Sequence, residues 1–201
     1  MNQLLRAKHW QLFLLTFGIP FIFQMVVMVA MTIQIANQAN LGDPMMMFGY
    51  MKIFPILMAL LMAVLFGWYW SVAMGLQPKV PAQVKMKVQK FKVFFFIPMI
   101  YLCAFLLFFA FLPFNQIGTE STPDLGFVGL FVAIVLPLHF FSMFCIFYSL
   151  YFVAKTFKTV ELQREVTFSD FAGEFFLFWF FPIGVWIVQP KINRMVEPSA
   201  Q

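Results

Sequence analysis

Apolar residues in this chain come in long uninterrupted blocks, not in the alternation of a helix with one wet face. Four such blocks, Leu12 to Ile35, Ile53 to Gly75, Val93 to Phe114 and Gly126 to Ala154, are free of Asp, Glu, Lys and Arg. About 20 apolar residues, rising about 1.5 Å each, cross a hydrocarbon core of about 30 Å, and every block is longer than that. Each block therefore predicts a transmembrane helix, the state that satisfies every backbone N–H and C=O without water. Gly18 and Pro20 predict a bend in the first block, and Pro98, Pro113 and Pro137 mark helix ends or kinks. The first block follows Arg6 and Lys8 as a signal sequence would, but it is too long for a cleaved one.

A fifth apolar stretch, Phe175 to Val188, is much shorter than the other four and carries Pro182 and Gly184 near its middle. As an unbroken helix it would reach about 21 Å, short of a full crossing. The length predicts a re-entrant or interfacial element broken near Pro182. Thr167 to Asp170, Thr-Phe-Ser-Asp, reads as a capping-box start just ahead of it.

Composition adds that 63% of the 201 residues are apolar and 10% charged, too few charges to clothe a water-facing surface. The expected fold is a single all-α integral membrane domain over residues 1–201, with four spans and the C-terminal broken helix. Its net charge of +5 points to orientation, not to nucleic acid, because the basic residues flank the blocks. With the N-terminus in the cytoplasm and the fifth stretch not crossing, 12 of the 13 basic residues fall on the cytoplasmic side. If it crosses, the count falls to 10. Both counts favour a cytoplasmic N-terminus. Trp10, Trp68, Tyr69, Trp70 and Tyr151 lie toward that side and Tyr50 toward the other, as in an interfacial aromatic belt. No internal repeat supports an inverted-repeat transporter.

Small residues recur at four-residue spacing in the second block: Ala59, Ala63, Gly67, Ser71 and Gly75. Such a ridge admits close approach of another helix, where dispersion and Cα–H contacts supply association in lipid. Packing within the chain and a homodimer seam both fit.

His139 is the ionisable residue inside a block, with Ser142 and Cys145 at i+3 and i+6 and Gln24 deep in the first block. An intramembrane ionisable group is a functional candidate, yet one His without a second His or carboxylate makes a poor haem or metal site. Interhelical hydrogen bonding, worth about 1 kcal/mol, explains these residues without further chemistry. Cys103 and Cys145 read as small apolar residues. No catalytic, cofactor-binding or metal-ligating set emerges, and no phosphate loop, nucleophile elbow or metallohydrolase spacing appears.

Lys79, Lys85, Lys87, Lys90 and Lys92 share one acid-free segment with interleaved apolar residues. Beside an anionic inner leaflet each is worth about 1 kcal/mol, so the segment is either a topology signal or a headgroup or partner contact. The stretch from Lys155 to Arg194 is the richest in polar residues. Asp170, Glu174, Pro182, Gly184, Lys191 and Arg194 are its candidates: Glu174 can reach Lys191 or Arg194 if the chain doubles back at Pro182, and a solvated amphipathic connector with ordinary salt bridges is the favoured alternative.

The run Phe168 to Arg194, FSDFAGEFFLFWFFPIGVWIVQPKINR, resembles a C-terminal signature of small bacterial multi-pass membrane proteins without an assigned activity. The resemblance implies a bacterial inner membrane and a role for this segment, and no mechanism. The expected function is non-enzymatic: a subunit or assembly partner in a membrane complex, as homo-oligomer or with another membrane protein. A small oligomeric transporter or channel and an intramembrane enzyme acting on lipid are the alternatives.

Overall fold

The structure, a computed structural model, describes residues 2–36, 54–111 and 125–197. Among them every regular element is a helix: α1 (Asn2–Arg6), α2 (His9–Phe13), α3 (Ile19–Ala36), α4 (Phe54–Gly75), α5 (Val88–Phe111), α6 (Leu125–Leu162), α7 (Phe168–Trp179) and α8 (Phe181–Val196), with a short 3-10 turn at Gln77–Lys79. Four stretches, His9–Ile33, Pro55–Lys79, Val88–Phe108 and Gly129–Leu162, are long and apolar enough to cross a membrane.

The expected bend in the first stretch takes the form of a π-helical segment, Leu14–Gly18, that joins α2 to α3. Pro20 offers no N–H and its ring crowds the carbonyl one turn back, so the backbone widens ahead of it. At that turn the Thr16 hydroxyl donates to Leu12 O at 2.7 Å. The fourth stretch runs past its expected end at Ala154 to Leu162, because Lys158 and Glu161 are one turn apart and pair along the helix.

The fifth stretch is two helices hinged on one residue. The Phe180 N–H closes α7 on Phe176 O at 2.8 Å, while Phe180 O opens α8 by accepting from Gly184 N at 2.9 Å. Pro182 therefore does not break a helix; it sits in the first turn of the next one, where a missing N–H costs nothing. Gly184 sets the closeness of the hairpin, since a Cβ there would stand 1.7 Å from Leu177 O. The capping box ahead of α7 is formed, Asp170 Oδ2 accepting from the Thr167 backbone N–H at 2.8 Å.

The core gathers at one end, here called basal, where α4 stops, α5 starts and α6 turns into α7. Trp68, Phe91, Phe157, Phe171 and Phe178 are fully buried there. Phe91 stacks on Phe152 with centroids 4.5 Å apart, and Trp68 meets Phe178 and Phe181 at 5.3 Å each. Trp68 and Tyr69 thus depart from the expected interfacial belt: each is buried with its polar atom bonded inside the protein. Trp10 is exposed, and Tyr50 lies outside the described residues. The distal halves are different. No described side chain of 19–33, 99–108 or 129–141 is buried.

Candidate functional site

The small-residue ridge of α4 divides at this boundary. Leu4 Cδ1 lies 3.0 Å from where a Gly67 Cβ would be and Leu5 Cδ2 lies 2.7 Å from the corresponding point at Gly75, so α1 covers the basal part. Ser71 between them is buried and donates to Gly67 O at 2.7 Å. Ala59 and Ala63 are exposed.

Beneath α1 the chain ends its short helices with carbonyls that have no partner in their own helix. Gln189 of α8, fully buried, meets them: its Nε2 lies 3.0 Å from Leu5 O, 2.8 Å from Ala7 O and 2.9 Å from Asn193 Oδ1. Its Oε1 accepts from Trp68 Nε1 at 2.7 Å. Tyr69 Oη likewise donates to Phe178 O at 2.8 Å, serving an orphan carbonyl in the last turn of α7. Gln189 was not among the sequence candidates. The available signal was a lone amide at the end of an apolar stretch.

A chain of four alternating charges binds α6, α7 and α8. Glu174 Oε1 lies 2.7 Å from Lys158 Nζ, Lys158 lies 2.7 Å from Glu161 Oε2, and Glu161 Oε1 lies 3.0 Å from Lys191 Nζ. The chain does double back, but Glu174 meets Lys158 in place of Lys191 or Arg194. Both Glu174 and Lys191 reach across to α6, which carries charges between the two arms of the hairpin, while Arg194 is exposed. At the start of α7, Arg164 Nη2 lies 2.7 Å from Asp170 Oδ1. The guanidinium, then the Thr167 N–H and hydroxyl, hold the Asp170 carboxyl down at about 2.

The lysine segment separates into three fates. Lys79 donates to Met195 O in the last turn of α8, where a cation complements the exposed carbonyls. Lys92 is half-buried on α5. Lys85, Lys87 and Lys90 instead line an open recess of about 450 Å³ together with Met86, Tyr148, Tyr151, Phe152, Lys155 and Glu165. Lys90 Nζ sits 5.0 Å from the centroid of the Tyr148 ring and 5.4 Å from that of Phe94, within cation–π range. Lys155, Tyr148 and Tyr151 come from a distant part of the sequence and join the lysines only through the packing of α5 on α6.

The polar candidates of the distal half do not converge on a cavity. Gln24 is exposed on α3 and His139 is exposed on α6, its Nδ1 3.4 Å from Tyr101 Oη. Ser142 is buried on α6, as is Cys145. Among the described residues no three His, Cys, Asp or Glu side chains gather as a metal site would require. What the basal end offers chemically is a fixed cationic recess with aromatic walls. No family model, curated protein or solved structure matches this chain.

Proposed function

We propose that this chain is a non-enzymatic, multi-pass protein of a bacterial inner membrane that holds a partner's helices through its distal half and anchors itself by its base. Four helices cross, the lysine-rich base and both described chain ends face the cytoplasm, and α7 and α8 form a hairpin half-inserted from that side. The charge distribution supports this orientation. The hairpin tip supports half-insertion, because Trp179, Phe180, Ile183 and Trp186 are all exposed there, Ile183 by 65%.

One observation carries the partner reading: the consecutive residues 136–141 of α6 are all exposed, so every face of that helix keeps open surface at this level. Helices in lipid associate through close packing and interhelical hydrogen bonds, and α6 has used little of either here. His139 and Gln24 add polar groups on the same distal exteriors, where hydrocarbon satisfies nothing and a partner helix would. Their exposed positions favour a partner over a transport path enclosed by the chain.

The test is a photo-crosslinking residue placed at Phe140 in the native membrane, with Phe168 as the basal comparison. A discrete adduct to one polypeptide from Phe140 alone, weakened by His139→Phe, is the expected result. Adducts only to lipid would overturn the proposal.

A further inference from the structure

We propose that the basal recess is a stoichiometric site for one glycerophospholipid, bound by its phosphate, whose headgroup carries a donor beyond that phosphate. It rests on the membrane placement proposed above, and goes beyond it by converting a general attraction for headgroups into a defined pocket.

The chemistry begins with charge. Four ammonium groups, on Lys85, Lys87, Lys90 and Lys155, surround one carboxylate, Glu165, in about 450 Å³. Of the other cations of this end, Lys158 and Lys191 are paired with Glu161 and Glu174, Arg164 with Asp170, and Lys79 with the end of α8. The recess thus keeps an excess positive charge that a phosphodiester neutralises, and two tyrosines present hydroxyls beside it. Glu165 also lines the recess, and a carboxylate beside a phosphate site accepts from a headgroup ammonium or hydroxyl, which would select ethanolamine or glycerol headgroups over choline.

Two helices carry the same gradient side by side, and this favours a lipid over free phosphate. On α5 and the turn before it one face reads Lys87, Lys90, Phe94, from cation to aromatic in about two turns. On α6 the facing row reads Lys155, Tyr151, Tyr148, Phe144 in the same direction. Phe94 bridges the rows, its ring 4.8 Å from Tyr148 and 6.1 Å from Phe144. Phe144 is 59% exposed, leaving an apolar track leading out of the recess toward the distal half. Phosphate, glycerol backbone and acyl chain follow the same order of polarity. A soluble anion would use only the first part.

The experiment is native mass spectrometry of the full chain released from detergent, titrated separately with phosphatidylglycerol, phosphatidylethanolamine, phosphatidylcholine, glycerol 3-phosphate and inorganic phosphate. One bound phosphatidylglycerol or phosphatidylethanolamine is expected, with phosphatidylcholine at least tenfold weaker and the two soluble phosphates unable to displace the lipid. K87Q/K90Q should weaken binding tenfold or more, and Y148F two- to fivefold. K8Q/R194Q removes the same charge outside the recess and should leave binding unchanged. Equal losses in the two double variants, or displacement by inorganic phosphate, would overturn the site. Failure of the underlying placement reads differently: carbonate extraction would then release the chain from membranes, whereas a retained chain with no stoichiometric lipid refutes the site alone.

Discussion

The helices of the basal and distal halves are both rich in apolar residues, yet only the basal half packs them. In the base, aromatic rings interlock, a buried amide joins three segments and charges alternate across three helices. In the distal half, equally apolar helices stand with their faces open and with His139 and Gln24 on the outside. Hydrophobicity alone therefore does not gather helices here. The difference lies in glycines that neighbouring segments approach closely, Gly67, Gly75 and Gly184, and in polar groups bonded between segments, the means by which helices associate in lipid.

The strongest challenge to this contrast is at Gly184. Gly184→Ala puts a Cβ against the Leu177 carbonyl, forcing α7 and α8 apart; expected destabilisation exceeds about 3 kcal/mol. Gly173→Ala on the same hairpin meets nothing within 4 Å and should be neutral or stabilising by about 0.5–1 kcal/mol. Thermal unfolding in detergent separates the two. Comparable melting of both variants would show that the close approach of the arms is not what holds the base.

Next in size is Gln189→Leu, which strands Trp68 Nε1 and the Leu5 and Ala7 carbonyls at an expected cost of about 2–3 kcal/mol. His139→Phe in the distal half removes a contact of 3.4 Å and should change stability by less than about 0.5 kcal/mol. If the two cost the same in denaturant titrations, the base is no better ordered than the rest. Glu161→Gln, which removes the carboxylate that both Lys158 and Lys191 meet, should cost about 1 kcal/mol because the three side chains stay partly exposed.

The smallest effect is a pH dependence confined to the start of α7. The Asp170 carboxyl titrates at about 2 in the folded protein against an ordinary 3.8, so the folded state binds this proton less readily. Its stabilisation is complete above about 4 and disappears as pH falls through about 2. The difference in melting temperature between wild type and Asp170→Asn should be constant from pH 7 to about 4 and shrink below it. A difference that instead grows on acidification would refute the cap.

The four long helices are legible because their lengths and lack of charge leave few alternatives, the start of α7 because Thr167 and Asp170 cap it, and the break after it because Pro182 and Gly184 interrupt a short stretch, although the hinge itself is Phe180. What packs on what was not legible. These helices are apolar on all faces, so periodicity does not single out a core side, and Trp68 reads equally as an interfacial anchor or a buried donor. The recess was half legible: Lys85, Lys87 and Lys90 lie in one segment, but Tyr148, Tyr151 and Lys155 become neighbours only when α5 meets α6. The partner of Glu174 is not legible in the sequence, because two arms brought together by a hairpin need not bond to each other when a third helix supplies charges to both.

The amide at Gln189 also imposes an order in time. Reaching back 184 positions of sequence to the Leu5 carbonyl of α1, it also holds an indole on α4. A ribosome must deliver α4, α5, α6 and most of the hairpin before Trp68 and the carbonyls of Leu5 and Ala7 find their partner. Until then α1 and α4 carry polar groups without those partners. Completion of the base is therefore a late event in synthesis, and a chain stopped short of Gln189 would present those groups to whatever surveys unfinished membrane proteins.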